Sequence, residues 1–284
     1  MSFGKEKYRG VVRSVDVVIA IVAAVFVSLF TSMVGVSGAF LLLPFQISVL
    51  GFTSPAVSAT NLVYNLIATP SGVYRYAREG RFVWPLAVLT IAAAIPGVFI
   101  GAVLRSIVFI NVKIFKTFVG VVLLGLSLNL LTRRSGLVKR GAGKVKVLKV
   151  GKRVEYEFLG HVYSFNAIAV VATSFAVGIV GGAYGIGGGA LLAPIYAGVF
   201  RLPIYTTAGA TLLTTFISSV FGVVSYYVMG HPPNWPLGLS LGVGGLIGMY
   251  LGARLQRHVP ERVLRIGLSL LTLAIAIAYL FQLA

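Results

Sequence analysis

Two short stretches hold the residues whose types and spacing could do chemistry. The stronger is Gly181-Gly182-Ala183-Tyr184-Gly185-Ile186-Gly187-Gly188-Gly189-Ala190-Leu191-Leu192-Ala193-Pro194. The weaker is Gly35-Val36-Ser37-Gly38-Ala39-Phe40-Leu41-Leu42-Leu43-Pro44. Both lack charge and both lie between apolar runs. A glycine run exposes backbone N–H groups with no side chains in the way, and a helix starting just after it adds positive dipole character. Such a combination holds an anion. Two helical stripes could add side-chain donors. One is Thr60, Asn61, Tyr64 and Asn65; the other is Thr207, Thr211, Thr214 and Ser218.

Other chemistries fit less well. Gly185-Ile186-Gly187-Gly188-Gly189-Ala190 matches the dinucleotide pattern G-x-G-x-x-A, but no acidic residue follows about 20 positions later to hold a ribose. Gly35-Val36-Ser37-Gly38 resembles the G-x-S-G of rhomboid intramembrane serine proteases. A serine nucleophile needs a base within reach. The three histidines, His161, His231 and His258, fall at segment ends or in loops, and the second stretch puts Gly187 where a serine would stand. Cysteine is absent and no two histidines share a helical spacing, so no metal site and no cofactor is expected. The six acidic residues are Glu6, Asp16, Glu79, Glu155, Glu157 and Glu261, and none lies in the middle of an apolar segment. Cation carriers and proton pumps usually keep a carboxylate at membrane depth. An anionic or neutral ligand is therefore favoured.

The elements that position these residues are duplicated. Ala59-Thr60 answers Ala210-Thr211, Trp84-Pro85 answers Trp235-Pro236, and Gly97 and Gly101 answer Gly248 and Gly252, all at one constant spacing. The tryptophans of that shared dipeptide are the chain's only two. The chain reads as a basic segment 1–14, a first transmembrane repeat 15–132, a basic linker 133–162 and a second repeat 163–284. Each repeat offers five apolar segments, 15–33, 38–50, 56–76, 83–104 and 114–132, then 163–182, 187–200, 205–229, 234–255 and 262–283. The second of each is too short to cross ~30 Å of hydrocarbon and reads as half of a broken hairpin. Pro70 predicts a kink. Gly97 with Gly101, and Gly244 with Gly248 and Gly252, read as close helix packing.

Composition fits that reading. The chain is 58% hydrophobic and 11% charged, with a mean hydropathy of +0.96, which excludes a soluble domain. The expected fold is an all-α polytopic membrane protein of the cell membrane with eight to ten membrane segments. The net charge of +18 comes from 24 basic residues clustered between apolar segments. That pattern fits cytoplasmic loops beside anionic lipid headgroups better than nucleic-acid binding. Nine basic residues fall in 133–153, and alternation in 144–149 and 154–158 predicts a small cytoplasmic β-hairpin. Residues 1–13 are basic ahead of an apolar run, but a cleaved leader would remove part of the first repeat. Arginines at 254, 257, 262 and 265 put that loop inside, and the absence of lysine and arginine from 230–234 puts that loop outside. Five crossings per repeat satisfy these constraints and invert the second repeat relative to the first, with the N-terminus outside. Four crossings would put the N-terminus inside but the four-arginine loop outside.

The duplicated glycine block with its proline, the A-T that follows, then W-P and G-x-x-x-G-A, resembles the sulfite exporter TauE/SafE family of the toluene-sulfonate uptake permease group. The resemblance covers nearly all of the chain outside 1–14 and 133–160. It implies a secondary transporter, not an enzyme, that exports sulfite, sulfoacetate or another organosulfonate by alternating access. An intramembrane protease using Ser37 and a passive anion channel are the alternatives. A homodimer is compatible with the sequence. The expected site comprises Gly35, Ser37, Gly38, Thr60 and Asn61 from the first repeat, with Gly185, Gly187, Gly188, Gly189 and Thr211 from the second. The first stretch departs from the second, with Gly-Val-Ser-Gly-Ala where Gly-Ile-Gly-Gly-Gly stands.

Overall fold

The computed structural model describes residues 14–34, 37–132, 144–255 and 261–283. The stretch expected as the first repeat holds α1 (Ser14–Val34), α2 (Ala39–Ser48), α3 (Ala56–Ala68), α4 (Pro70–Arg78), α5 (Trp84–Ile107) and α6 (Val112–Thr132). The stretch expected as the second holds α7 (Ala167–Tyr184), α8 (Leu192–Gly198), α9 (Ile204–Val228), α10 (Trp235–Leu255) and α11 (Glu261–Leu280). Five helices among the described residues are long and apolar enough to cross a membrane, and α1, α2 and α11 contain shorter apolar stretches. The ten residues of α2 and seven of α8 span only about 15 and 10 Å. Neither crosses a bilayer, as their lengths in the sequence imply. Pro70, with no N–H to donate, separates α3 from α4, and the single α9 answers both.

Glycines set the helix pairing. A Cβ at Gly101 would lie 2.1 Å from the Ile179 carbonyl oxygen, and one at Gly182 would lie 2.3 Å from that of Val98. The backbones of α5 and α7 are therefore in contact, running parallel. The equivalent pair, α10 and α1, repeats the arrangement. Cβ atoms at Gly244, Gly248 and Gly252 would meet the carbonyls of Ile21, Val25 and Leu29 at 2.4, 2.3 and 2.4 Å. Lipid is as apolar as leucine, so such close van der Waals packing is what holds these helices together.

The equivalent helices themselves pack antiparallel. Gly222 of α9 faces Leu62 of α3, while Gly72 of α4 faces Leu212 of α9. Gly120 of α6 meets Ala276 and Leu280 of α11, and Ser127 bonds Ser269 at 3.1 Å. This geometry is compatible with two inverted repeats.

The linker holds more than a hairpin. Three strands, β1 (Lys146–Lys149), β2 (Arg153–Phe158) and β3 (His161–Asn166), form an antiparallel sheet in that order. The first segment of the second repeat, expected from 163, begins at Ala167. Tyr163 pairs with Tyr156 and Phe165 with Val154 in β3, and Asn166 then caps the helix by accepting from the Ile168 and Ala169 amides. Leu159 and Gly160 turn β2 into β3 with φ of 52° and 74°, the left-handed pair that suits a tight hairpin. Val154, Tyr156 and Phe158 point inward from β2 and pack with Phe82, Leu86 and Tyr196. The Tyr156 hydroxyl bonds Thr206 at 2.8 Å. The sheet is thus docked on the starts of α5 and α9.

Candidate functional site

The two breaks between helices meet near the middle of the α3–α9 contact. Gly185 ends α7 in the left-handed conformation (φ 80°, ψ 27°), and the Gly181 carbonyl accepts from the amides of Gly185 and Ile186. Gly187 is left-handed too, at φ 78°. These two positions favour glycine through their backbone angles. The next two favour it through contact. A Cβ at Gly188 would lie 2.8 Å from the Ala94 Cβ, and one at Gly189 would lie 2.0 Å from the Thr211 carbonyl oxygen. In the first repeat Gly38 precedes α2, and its carbonyl accepts from the Leu41 and Leu42 amides. A Cβ there would lie 2.8 Å from the Tyr64 hydroxyl. Gly35 lies outside the described residues.

Side-chain amides on one face of α3 join these breaks. Asn61 Nδ2 donates to the carbonyls of Ala39 and Gly185, each at 2.9 Å. Its Oδ1 accepts from Gln46 Nε2 at 3.0 Å. One turn on, Asn65 Nδ2 donates to the Ile186 carbonyl at 3.0 Å, and its Oδ1 accepts from the Ser37 hydroxyl at 3.1 Å. Ser58 donates to the Ala183 carbonyl at 3.1 Å. From the other repeat, Ser218 Oγ accepts the Gly188 N–H at 2.8 Å. Every one of these side chains is buried. None is charged, so these side chains can offer a ligand hydrogen bonds but no formal charge.

Most of the polar capacity is already paired within the protein. The exceptions are informative. Gln46 Oε1 and Ser219 Oγ are buried with no partner, and Ser219 Oγ lies 3.0 Å from where a Cβ on Gly187 would sit. Leaving such groups unpaired costs about 1–3 kcal/mol each, an amount a ligand or a rearrangement could recover.

Of the expected residues, Ser37, Gly38, Asn61, Gly185, Gly187, Gly188 and Gly189 gather at this junction. Thr60 and Thr211 do not meet each other; the antiparallel packing sets them toward opposite ends of the α3–α9 contact. Thr60 Oγ1 donates to Ala56 and accepts from the Asn234 amide, both at 2.8 Å. Thr211 Oγ1 donates to the Ala208 carbonyl of its own helix at 3.1 Å. Asn65 and Ser218, from the two polar stripes, join the junction, and so do three residues not singled out in the sequence, Gln46, Ser58 and Ser219. Their signal was present as polar side chains at helical spacing, Ser58, Asn61 and Asn65 on α3 above all.

The Ser37 hydroxyl donates to an amide oxygen, which is too weak a base to activate it. His161 begins β3 and His231 follows α9, while His258 lies outside the described residues. Among the described residues no three acidic or histidine side chains cluster as metal ligands. Two apolar grooves of about 390 and 400 Å³, one beside Trp84 and Val154 and the other beside Phe30, Leu41 and Leu268, involve no residue of 181–194.

The chain is similar to several proteins named as probable membrane transporters. It is 24% identical to "Probable membrane transporter protein YunE" of Bacillus subtilis over 274 residues, 93% of this chain and 97% of that protein. It is 23% identical to a "Probable membrane transporter protein" of Xylella fastidiosa over 256 residues, 87% of this chain and 89% of that protein. A third relative, "Probable membrane transporter protein MJ0441" of Methanocaldococcus jannaschii, is 28% identical over 134 residues, 44% of this chain and 48% of that protein. No solved structure matches. The family model described as "Sulfite exporter TauE/SafE" matches residues 20–279, so this multi-pass protein of the cell membrane belongs to the sulfite exporter TauE/SafE family.

Proposed function

We propose that the protein is a secondary transporter that exports small sulfur-containing oxyanions, such as sulfite, sulfoacetate or another organosulfonate, by alternating access. The observation that carries this reading is the bridge from Asn61 and Asn65 to both helix breaks. Irregular backbone from both halves converges on one buried, charge-free set of donors. That is the usual construction of a substrate site at a repeat interface. An oxyanion there would exchange into hydrogen bonds that now join the two halves, so binding and relative movement would be linked. The family description supports the sulfur oxyanion, and the names of the relatives support transport.

In this reading the basic linker with its sheet faces the cytoplasm beside anionic headgroups, and the loop 230–234 faces outside. The two repeats are inverted, with the site near the midplane. Ser37, the glycines, Asn61, Thr60 and Thr211 contribute donors at successive stages of passage.

Flux of labelled sulfite into proteoliposomes tests this. A carrier gives flux that saturates with substrate and accelerates when sulfite is present on the far side. Flux that rises linearly with large currents would make the protein a channel. No flux of sulfite or any organosulfonate would overturn the substrate class.

A further inference from the structure

We propose that Arg105 is a second station for the transported anion, at the end of the molecule opposite the β-sheet. The inference rests on the anion reading above and adds a cation to it. Arg105 lies in the last turn of α5, whose other end begins at Trp84 beside the sheet. It is fully buried, and it is the one charged side chain so placed among the described residues. Burying a cation is costly unless it is paired. No carboxylate among the described residues pairs with it. Its Nη1 donates to the Phe109 carbonyl and its Nη2 to the Thr53 carbonyl at 3.1 Å. The Phe115 ring lies 3.7 Å from the guanidinium carbon and covers one face. Nε has no partner.

The surroundings connect this cation to the glycine block. One turn before Arg105, Ala102 packs in a cluster with Tyr226, and the adjacent Ser106 hydroxyl reaches Met229 Sδ at 3.7 Å. Tyr226 donates its hydroxyl to the Gly182 carbonyl at 2.8 Å, three residues before the left-handed Gly185. His231 belongs to the loop after α9. Arg105 therefore lies near both the loop after α9 and the glycine block, one turn from Gly101, which abuts Ala183. A small oxyanion moving between the two meets a guanidinium that is rigidly held, poor in counter-charge and still able to donate from Nε. Guanidinium binds oxyanions through charge-assisted hydrogen bonds, the stronger kind. The glycine junction has no charge of its own, so Arg105 supplies the net attraction it lacks.

A purely structural role would be to tie the Phe109 and Thr53 carbonyls together. The two roles separate in kinetics. Arg105→Gln keeps N–H donors and removes the charge. It should raise the KM for sulfite by about tenfold or more while the maximal flux changes far less. Arg105→Lys, which keeps the charge, should recover most of the affinity. If Arg105→Gln folds and transports with an unchanged KM, the proposal is overturned. If it does not fold, the wild type decides. In [15N]arginine-labelled protein in nanodiscs, the Arg105 Nε–H resonance, assigned by its absence from Arg105→Lys, should shift on adding sulfite. A static resonance in a protein that still transports sulfite would overturn the Arg105 station alone. A wild type that neither binds nor moves sulfite or an organosulfonate would overturn the transport reading beneath it.

Discussion

Asn61 of the first repeat donates to the carbonyl of Gly185 of the second across 2.9 Å. Gly185 is the left-handed residue that ends α7, and the same nitrogen also reaches Ala39 at the start of α2. One side chain thus fixes the relative placement of both helix breaks. Replacing it by the similarly sized Asn61→Leu leaves two buried carbonyls and the Gln46 amide short of a partner. The expected cost is about 2 kcal/mol or more, seen as a lower unfolding temperature in detergent. An unchanged temperature would mean the breaks are held by other contacts.

Two glycine-to-alanine changes should have opposite effects. At Gly189 the new Cβ would fall 2.0 Å from the Thr211 carbonyl oxygen, which is backbone and cannot swing aside. Gly189→Ala is expected to sharply reduce the yield of monodisperse protein in size-exclusion chromatography. Gly125 lies in α6 with nothing within 4 Å of its would-be Cβ. Gly125→Ala should be neutral or gain up to about 1 kcal/mol from helix propensity. Equal behaviour of the two variants would contradict the packing.

Hydroxyl removal should distinguish partners within α9. Ser218 accepts the Gly188 N–H, so Ser218→Ala orphans a buried donor and should cost about 1–2 kcal/mol of stability. Thr211 bonds only its own helix, so Thr211→Val should cost less than about 1 kcal/mol of stability. In the proposed site it should still weaken sulfite binding by about fivefold, the ~1 kcal/mol of one hydrogen bond. Unchanged affinity by calorimetry would remove Thr211 from the site.

Side-of-membrane labelling tests the orientation. The chain has no cysteine, so single introduced thiols report cleanly. Gly151→Cys, in the exposed turn between β1 and β2, should react only from the cytoplasmic side. Pro232→Cys, in the exposed loop after α9, should react only from outside. Reaction of both from one side would overturn the inverted arrangement.

The loop histidine sets a pH dependence. Burial, and then the Arg105 charge, hold the pKa of His231 below its ordinary 6.5. The unfolded chain therefore takes up this proton first as pH falls. Stability from this group is full above about pH 6.5 and declines as pH drops through that value toward the lowered folded pKa. Unfolding temperature measured from pH 7.5 to pH 5 should fall less steeply in His231→Gln than in wild type. Parallel profiles would show that His231 does not contribute.

Much of this protein was legible in the order of its residues because the relevant forces are local. Long apolar runs imply a membrane, and α2 and α8 are too short to cross it whatever they touch. The matched Trp84-Pro85 and Trp235-Pro236 point to a duplication, and no acidic residue stands in the middle of an apolar segment. The basic linker announced strands by alternation. Its third strand was hidden, because Tyr163 and Phe165 read as the start of the following apolar helix. Only pairing with β2 makes them a strand. The roles within the glycine block were hidden too. A sequence cannot say that Gly189 faces the Thr211 carbonyl, or that Gly188 donates to Ser218 rather than to a ligand. Nor can it say that Arg105 is the one charged side chain among the described residues that is fully buried, with no carboxylate beside it. Such facts depend on which atoms come within about 3 Å after separate segments of the chain have packed, and hydrogen bonds are decided at that range.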